Sequence, residues 1–139
     1  MDRRTERILQ DVVRKEGRSL LQYVSESYPW TKTNNDPALT TLLQLAKEEQ
    51  DVAAAVVRFL LKRRWRPPYL GAYPMEFTTI NYVSLDHLLP RLTEFCKRRL
   101  QELEEDARLV ADTEAEALIH ALTATKRRHL DVLSKFKRE

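Results

Sequence analysis

Glycine is nearly missing from this sequence, with only Gly17 and Gly71 in 139 residues. That scarcity argues against tight hairpins, glycine-rich phosphate loops and dinucleotide-binding fingerprints. A single cysteine, Cys96, leaves no partner for an intramolecular disulfide and no multi-cysteine zinc site. No apolar run approaches the ~20 residues that a bilayer-spanning helix needs. The charged opening, Met1 to Arg7, leads into no apolar signal region. The expectation is a reducing, cytoplasmic setting without a membrane. An excess of one charge is missing too: the formal net charge is +3, with acids and bases interspersed. That balance gives no reason to expect a nucleic-acid partner.

What is present is helical periodicity. Ile8, Leu9, Val12, Val13, Leu20, Leu21, Val24 and Tyr28 form one stripe from Arg3 to Tyr28, which Pro29 ends. Trp30 to Asn35 reads as a polar connection, and Asp36-Pro37 as an N-cap with proline at the first helical position. A second stripe, from Leu39 through Ala46, Val52, Val56 and Leu60, runs to about Arg64. The third helix starts at Ser84 and extends through Leu88, Leu92, Cys96 and Leu103 to Ala107, with Pro90 inside it. Thr113 and Glu116 form a capping-box pattern that opens a fourth helix through Ile119, Leu122, Leu130, Leu133 and Phe136. The whole chain, 1–139, reads as one domain.

The first and third connections are short and call for antiparallel neighbours. The middle one, Trp65 to Val83, carries Pro67, Pro68, Pro74, Gly71 and the rings of Trp65, Tyr69, Tyr73, Phe77 and Tyr82. Its extended reach of ~60 Å exceeds the ~37 Å of a 25-residue helix. Such a segment can run lengthwise over the bundle as an apolar strap, making the second and third helices parallel. The predicted fold class is therefore all-α: an antiparallel four-helix bundle with one long crossover between helices 2 and 3.

A short loop, a lengthwise crossover and a second short loop resemble the connectivity of the ferritin-like superfamily. The resemblance covers nearly the whole chain and extends to Glu16 and Glu49, mid-helix acids on otherwise apolar stripes. In the di-iron members of that family, two helices each supply a Glu and two each supply Glu-x-x-His, all directed inward. Glu16 matches the first helix's Glu and Glu49 the second's. The rest of the set departs from the family pattern. Val52 stands three residues after Glu49, Arg99 holds the third helix's mid-length position, and the fourth helix reads Lys126-x-x-His129. Glu116 and His120 are four apart, which is the wrong spacing.

The resemblance thus implies a ferritin-like module with a degenerate di-iron site. The expected function is a non-enzymatic binding or structural role without a cofactor, through self-association or a protein partner. The alternative is a metal-binding oxidoreductase or stress protein of the same superfamily. It would hold iron or another divalent metal on a reduced ligand set of Glu16, Glu49 and His129. The helix midpoints suggest that Glu16, Glu49, Arg99 and His129 share one buried polar layer, in which the guanidinium and imidazole offset the carboxylates. Cys96 reads as a small buried hydrophobe. The basic runs at Lys62, Lys97 and Lys126 read as solvated faces, and the aromatic loops as pinned to the bundle or as an association surface.

Overall fold

A computed structural model describes residues 3–27, 37–80 and 84–136, with the side chains of 78–80 left out. The expected polar connection, the Asp36 cap, the Tyr28-Pro29-Trp30 cluster and Tyr82 lie outside the described residues. The elements are α1 (Arg3–Gly17), α2 (Leu20–Ser27), α3 (Pro37–Lys62), a 3-10 helix (Met75–Ile80), α4 (Leu85–Leu109) and α5 (Thr113–Ser134). No β-strand occurs among the described residues. None of the helices is long and apolar enough to cross a membrane among those residues. Helices α1 and α2 both pack on α3 and on α4, so together they form one rod of a four-rod, all-α bundle whose other rods are α3, α4 and α5.

The first predicted helix is thus two helices, and the break has a local cause. Ser19 Oγ accepts a hydrogen bond from the Gln22 backbone N–H at 3.2 Å. That is the geometry of an N-cap, and it starts α2 afresh one turn after α1 ends. Helix α4 begins at Leu85 with Ser84 as its N-cap, and Pro90 sits inside it. At α5 the capping residue is Asp112, whose carboxylate accepts from Ala115 N–H at 3.0 Å, and Thr113 is already the first helical residue. The capping-box reading was therefore one residue late. Aspartate fills the same role as threonine there, and Arg63 completes it with a 2.7 Å ion pair to Asp112.

Helix α3 ends in a Schellman turn. Trp65 N–H reaches back to Leu60 C=O at 2.8 Å and Arg64 N–H to Leu61 C=O at 3.0 Å. Arg64 holds the left-handed position, φ 60°, that glycine normally takes. The turn folds the Trp65 ring edge-on against Phe59, with centroids 6.1 Å apart.

The apolar core falls into two clusters. One gathers Val24, Leu42, Leu45, Leu88, Leu92 and Leu133. The other gathers Leu9, Val12, Val56, Leu60, Leu103 and Ile119. Each fully buried aliphatic side chain contributes roughly 1.5–3 kcal/mol. Both α3 and α4 start in the first cluster and end in the second, whereas α5 runs the other way. The segment between α3 and α4 touches both: Trp65 and Leu70 pack in the second cluster, Tyr73 and Phe77 in the first. At Gly17 the backbone and this segment come so close that an added Cβ would meet Leu70 Cδ1 at 2.9 Å.

A buried ionic layer as the candidate functional site

Between the two clusters the stripes of all the helices turn polar. Glu16, Ser19, Gln22, Glu49, Arg99, Lys126 and His129 are all buried. In sequence, Glu16 falls between Val13 and Leu20, Glu49 between Ala46 and Val56, Arg99 between Cys96 and Leu103, and Lys126 between Leu122 and Leu133. The layer therefore replaces one full stratum of apolar packing.

Lys126 is its centre. The ammonium touches Glu49 Oε2 and lies 2.8 Å from Glu16 Oε2, although the approach to Glu16 has the geometry of an ion pair and not of a directed hydrogen bond. Glu49 Oε1 accepts from Ser19 Oγ and from Gln22 Nε2, the latter at 2.9 Å. Gln22 also donates to Ala46 C=O at 2.8 Å and accepts from Gln50 Nε2 at 2.7 Å. On the other side, Arg99 Nη2 lies 3.5 Å from Glu16 Oε1, and Arg99 Nη1 donates to Glu102 Oε1 at 2.7 Å. The network thus runs Gln50, Gln22, Glu49, Lys126, Glu16, Arg99, Glu102 and draws on all five helices. The break between α1 and α2 belongs to the site, since it presents Ser19 and Gln22 to Glu49.

Two carboxylates face two permanent cations, which is the balance that buried charge requires. Burial works against the Lys126 charge, but the attraction of Glu16 and Glu49 outweighs it and holds the ammonium above its ordinary pKa. For Glu49, burial pushes the carboxyl upward while Lys126 and Ser19 pull it down, with the upward push the larger. The direct contact of Lys126 with Glu49, reinforced by two further donors, favours the ion pair. Cys96 donates to Lys126 C=O at 3.4 Å, and burial pushes its thiol up to about 11, so it is a poor source of thiolate.

Of the residues expected in a shared layer, Glu16, Glu49 and Arg99 belong to this network, with Arg99 on Glu16 and not on Glu49. His129 is buried beside it but turns to a different acid: its Nε2 pairs with Glu48 Oε1 at 3.1 Å. Glu48 also receives Arg128 and Gln44. The basic run at Lys126 is not the solvated face expected from the sequence: Arg127 and Arg128 are exposed, whereas Lys126 is buried. The sequence carried the signal. Ala115, Ile119, Leu122, Lys126, His129 and Leu133 recur at spacings of four and three on the buried face. Glu116 and His120 are exposed and pair with each other at 3.2 Å.

Burial also lowers the pKa of His129 from its ordinary 6.5, against the opposing hydrogen bond to Glu48, with Lys126 and Arg128 adding to the lowering. As pH falls, the unfolded chain takes up this proton before the folded one does. The His129 contribution is therefore present above about 6.5 and lost as pH falls through the depressed folded value. Between pH 7 and pH 5 the loss amounts to at most about 2 kcal/mol. Urea unfolding at both pH values checks this: His129→Gln should flatten the difference seen in the parent protein. An unchanged difference would assign the acid sensitivity elsewhere.

The pair of irons implied by the ferritin-like resemblance does not fit these donors. The space between Glu16 and Glu49 is taken by the Lys126 ammonium, and Arg99 brings a second positive charge to Glu16. Among the described residues no three His, Cys, Asp or Glu side chains converge as a metal site would require. Compared with protein-family models, curated proteins and solved structures, the chain matches none.

Proposed function

We propose that this chain is a ferritin-like bundle in which an internal cation, Lys126, has taken the place of the metal, and that it acts as a binding or structural module and not as an oxidase. The observation that carries this reading is the position of the Lys126 ammonium between the two mid-helix carboxylates. The ferritin-like connectivity is supported by the cluster membership of α3 and α4, both of which run from the first cluster to the second. The segment joining them contacts both clusters in passing, as a lengthwise crossover does. An ammonium held by two carboxylates supplies the charge balance that a divalent ion supplies in metal-bearing relatives of this architecture. It offers neither open coordination positions nor redox chemistry.

Elemental analysis of protein purified without chelators tests the reading, together with an assay of ferrous-iron oxidation. The expected result is iron far below stoichiometry and no oxidation above the buffer rate. Two metal atoms per chain, lost on replacing Glu16 and Glu49 by glutamine, would overturn it in favour of a metal-binding oxidoreductase.

A further inference from the structure

We infer that the groove bounded by α1, residues 70–77 and α4 binds an amphiphilic anion, namely a carboxylate carried on an apolar chain or ring. The inference rests on the binding half of the reading above and names its ligand class. The groove has a volume of about 490 Å³, within the usual range for small-molecule sites. Its apolar lining comprises Leu70, Ala72, Pro74, Phe77 and Phe95. Phe77 and Phe95 meet edge to face with centroids 5.9 Å apart. Phe77, Phe95 and Arg98 are shared with an adjoining groove of about 550 Å³ that extends towards Pro90. An acyl chain longer than the first groove therefore has somewhere to continue.

The polar lining has an excess of cations. Arg14, Lys15, Arg18, Arg98 and Arg99 face three carboxylates, Asp11, Glu76 and Glu102. Asp11 is engaged by Arg14 and Lys15, and Glu102 by Arg99 and Lys15. Two guanidiniums are left without a carboxylate among the described residues. Arg18 donates to Gly71 C=O at 2.8 Å and to Gly17 C=O at 3.0 Å, which poises it 4.9 Å above the Tyr73 ring. Arg98 only stacks on Phe95, with its guanidinium carbon 5.3 Å from the ring centroid. Behind them, Arg99 lines the groove while only 2% exposed; its Nη2 is ion-paired with Glu16 at 3.5 Å, and its Nε has no hydrogen-bond partner among the described residues.

Only the buried Nε–H of Arg99 is left unused by the protein's own acceptors, while the charges of Arg18 and Arg98 at the groove are balanced by no carboxylate among the described residues. Charged donors beside exposed rings suit a ligand that is anionic at one end and apolar at the other. The groove is concave and apolar-floored, unlike the open basic stripes that track a nucleic-acid backbone.

Decanoate is the probe, added to the full-length protein and followed by backbone amide shifts, with decanol and inorganic sulfate as separate arms. Saturable decanoate shifts should centre on Leu70, Phe77, Phe95 and Arg98. Decanol should bind at least about tenfold more weakly, and sulfate should leave Leu70 and Phe77 unmoved. Arg98→Glu, at an exposed position outside the ionic layer, should weaken decanoate about tenfold without changing the thermal melt. Four results would overturn the inference: no decanoate binding, equal binding of decanol, equal binding by the Arg98→Glu protein, or shifts mapping elsewhere. Failure here with iron-free protein sinks the ligand assignment alone. Stoichiometric iron would sink the functional reading whether or not decanoate binds.

Discussion

Lys126→Met should destabilise the protein by roughly 3–5 kcal/mol, a large part of a typical domain's stability. The methionine fills much of the same volume, so the loss is electrostatic and not a cavity effect. Without the ammonium, Glu49 keeps Ser19 and Gln22 but faces Glu16 with Arg99 as the one remaining buried cation among the described residues. Two buried carboxylates with one positive charge between them hold protons more tightly than they do in the unfolded chain. Their folded pKa values then lie above the unfolded ones, so the variant gains stability as pH falls from 7 towards 5. The His129 contribution, present in parent and variant alike, runs the other way over the same window. Urea titrations of both proteins at the two pH values read the cost and the difference in slope between them. A cost below about 1 kcal/mol would mean that the ammonium lies in solvent, where ion pairs contribute little.

Arg99→Ala should cost a comparable amount, roughly 3 kcal/mol or more, since it strands Glu16 and removes a buried stem. Which second substitution rescues it is the sharper test. Arg99 faces Glu16 at 3.5 Å, whereas Glu49 belongs to Lys126, Ser19 and Gln22. Glu16→Gln should therefore recover part of the Arg99→Ala loss, and Glu49→Gln should not. Glu16 itself also faces Lys126, so the recovery is incomplete. In a double-mutant cycle the Arg99–Glu16 coupling should exceed about 0.5 kcal/mol, and the Arg99–Glu49 term should be smaller. Equal couplings would mean that the layer behaves as one diffuse charge cloud and not as paired contacts.

Much of this layer could be read from residue spacing. Glu16, Glu49 and Arg99 interrupt apolar stripes, and an interruption on a buried face is visible without a structure. Lys126 interrupts its stripe in the same way, but Arg127 and Arg128 beside it disguise it as one member of a basic run. Only the strict four-and-three spacing separates it from them. His129 is buried, but its partner Glu48 comes from another helix, and a single sequence carries no pairing information.

The fold was legible where periodicity is strong, in α3, α4 and α5. It was less so where one hydrogen bond decides. The break between α1 and α2 leaves the apolar spacing unbroken, and its only marks in the sequence are Gly17 at the end of α1 and Ser19 before α2. It follows from Ser19 serving two partners at once, a carboxylate across the bundle and an amide in its own turn. The end of α3 was equally hidden, because Arg64 occupies a backbone conformation that a sequence normally announces with glycine.

The division of the core into two apolar clusters by a charged stratum also limits how the rods can slide. In a bundle of leucine layers, one helix can slip by a turn, about 5.4 Å, and meet another leucine of similar size. Here a slip of α5 by one turn would carry the Lys126 ammonium away from both acids and into the aliphatic surroundings of Val56 or Leu92. The same movement of α1 would pull Glu16 from both of its cations. Each rod thus has a single longitudinal setting at which every charge is matched. The stratum acts as a vernier that aligns the long helices, and the apolar clusters on either side then only have to hold them together.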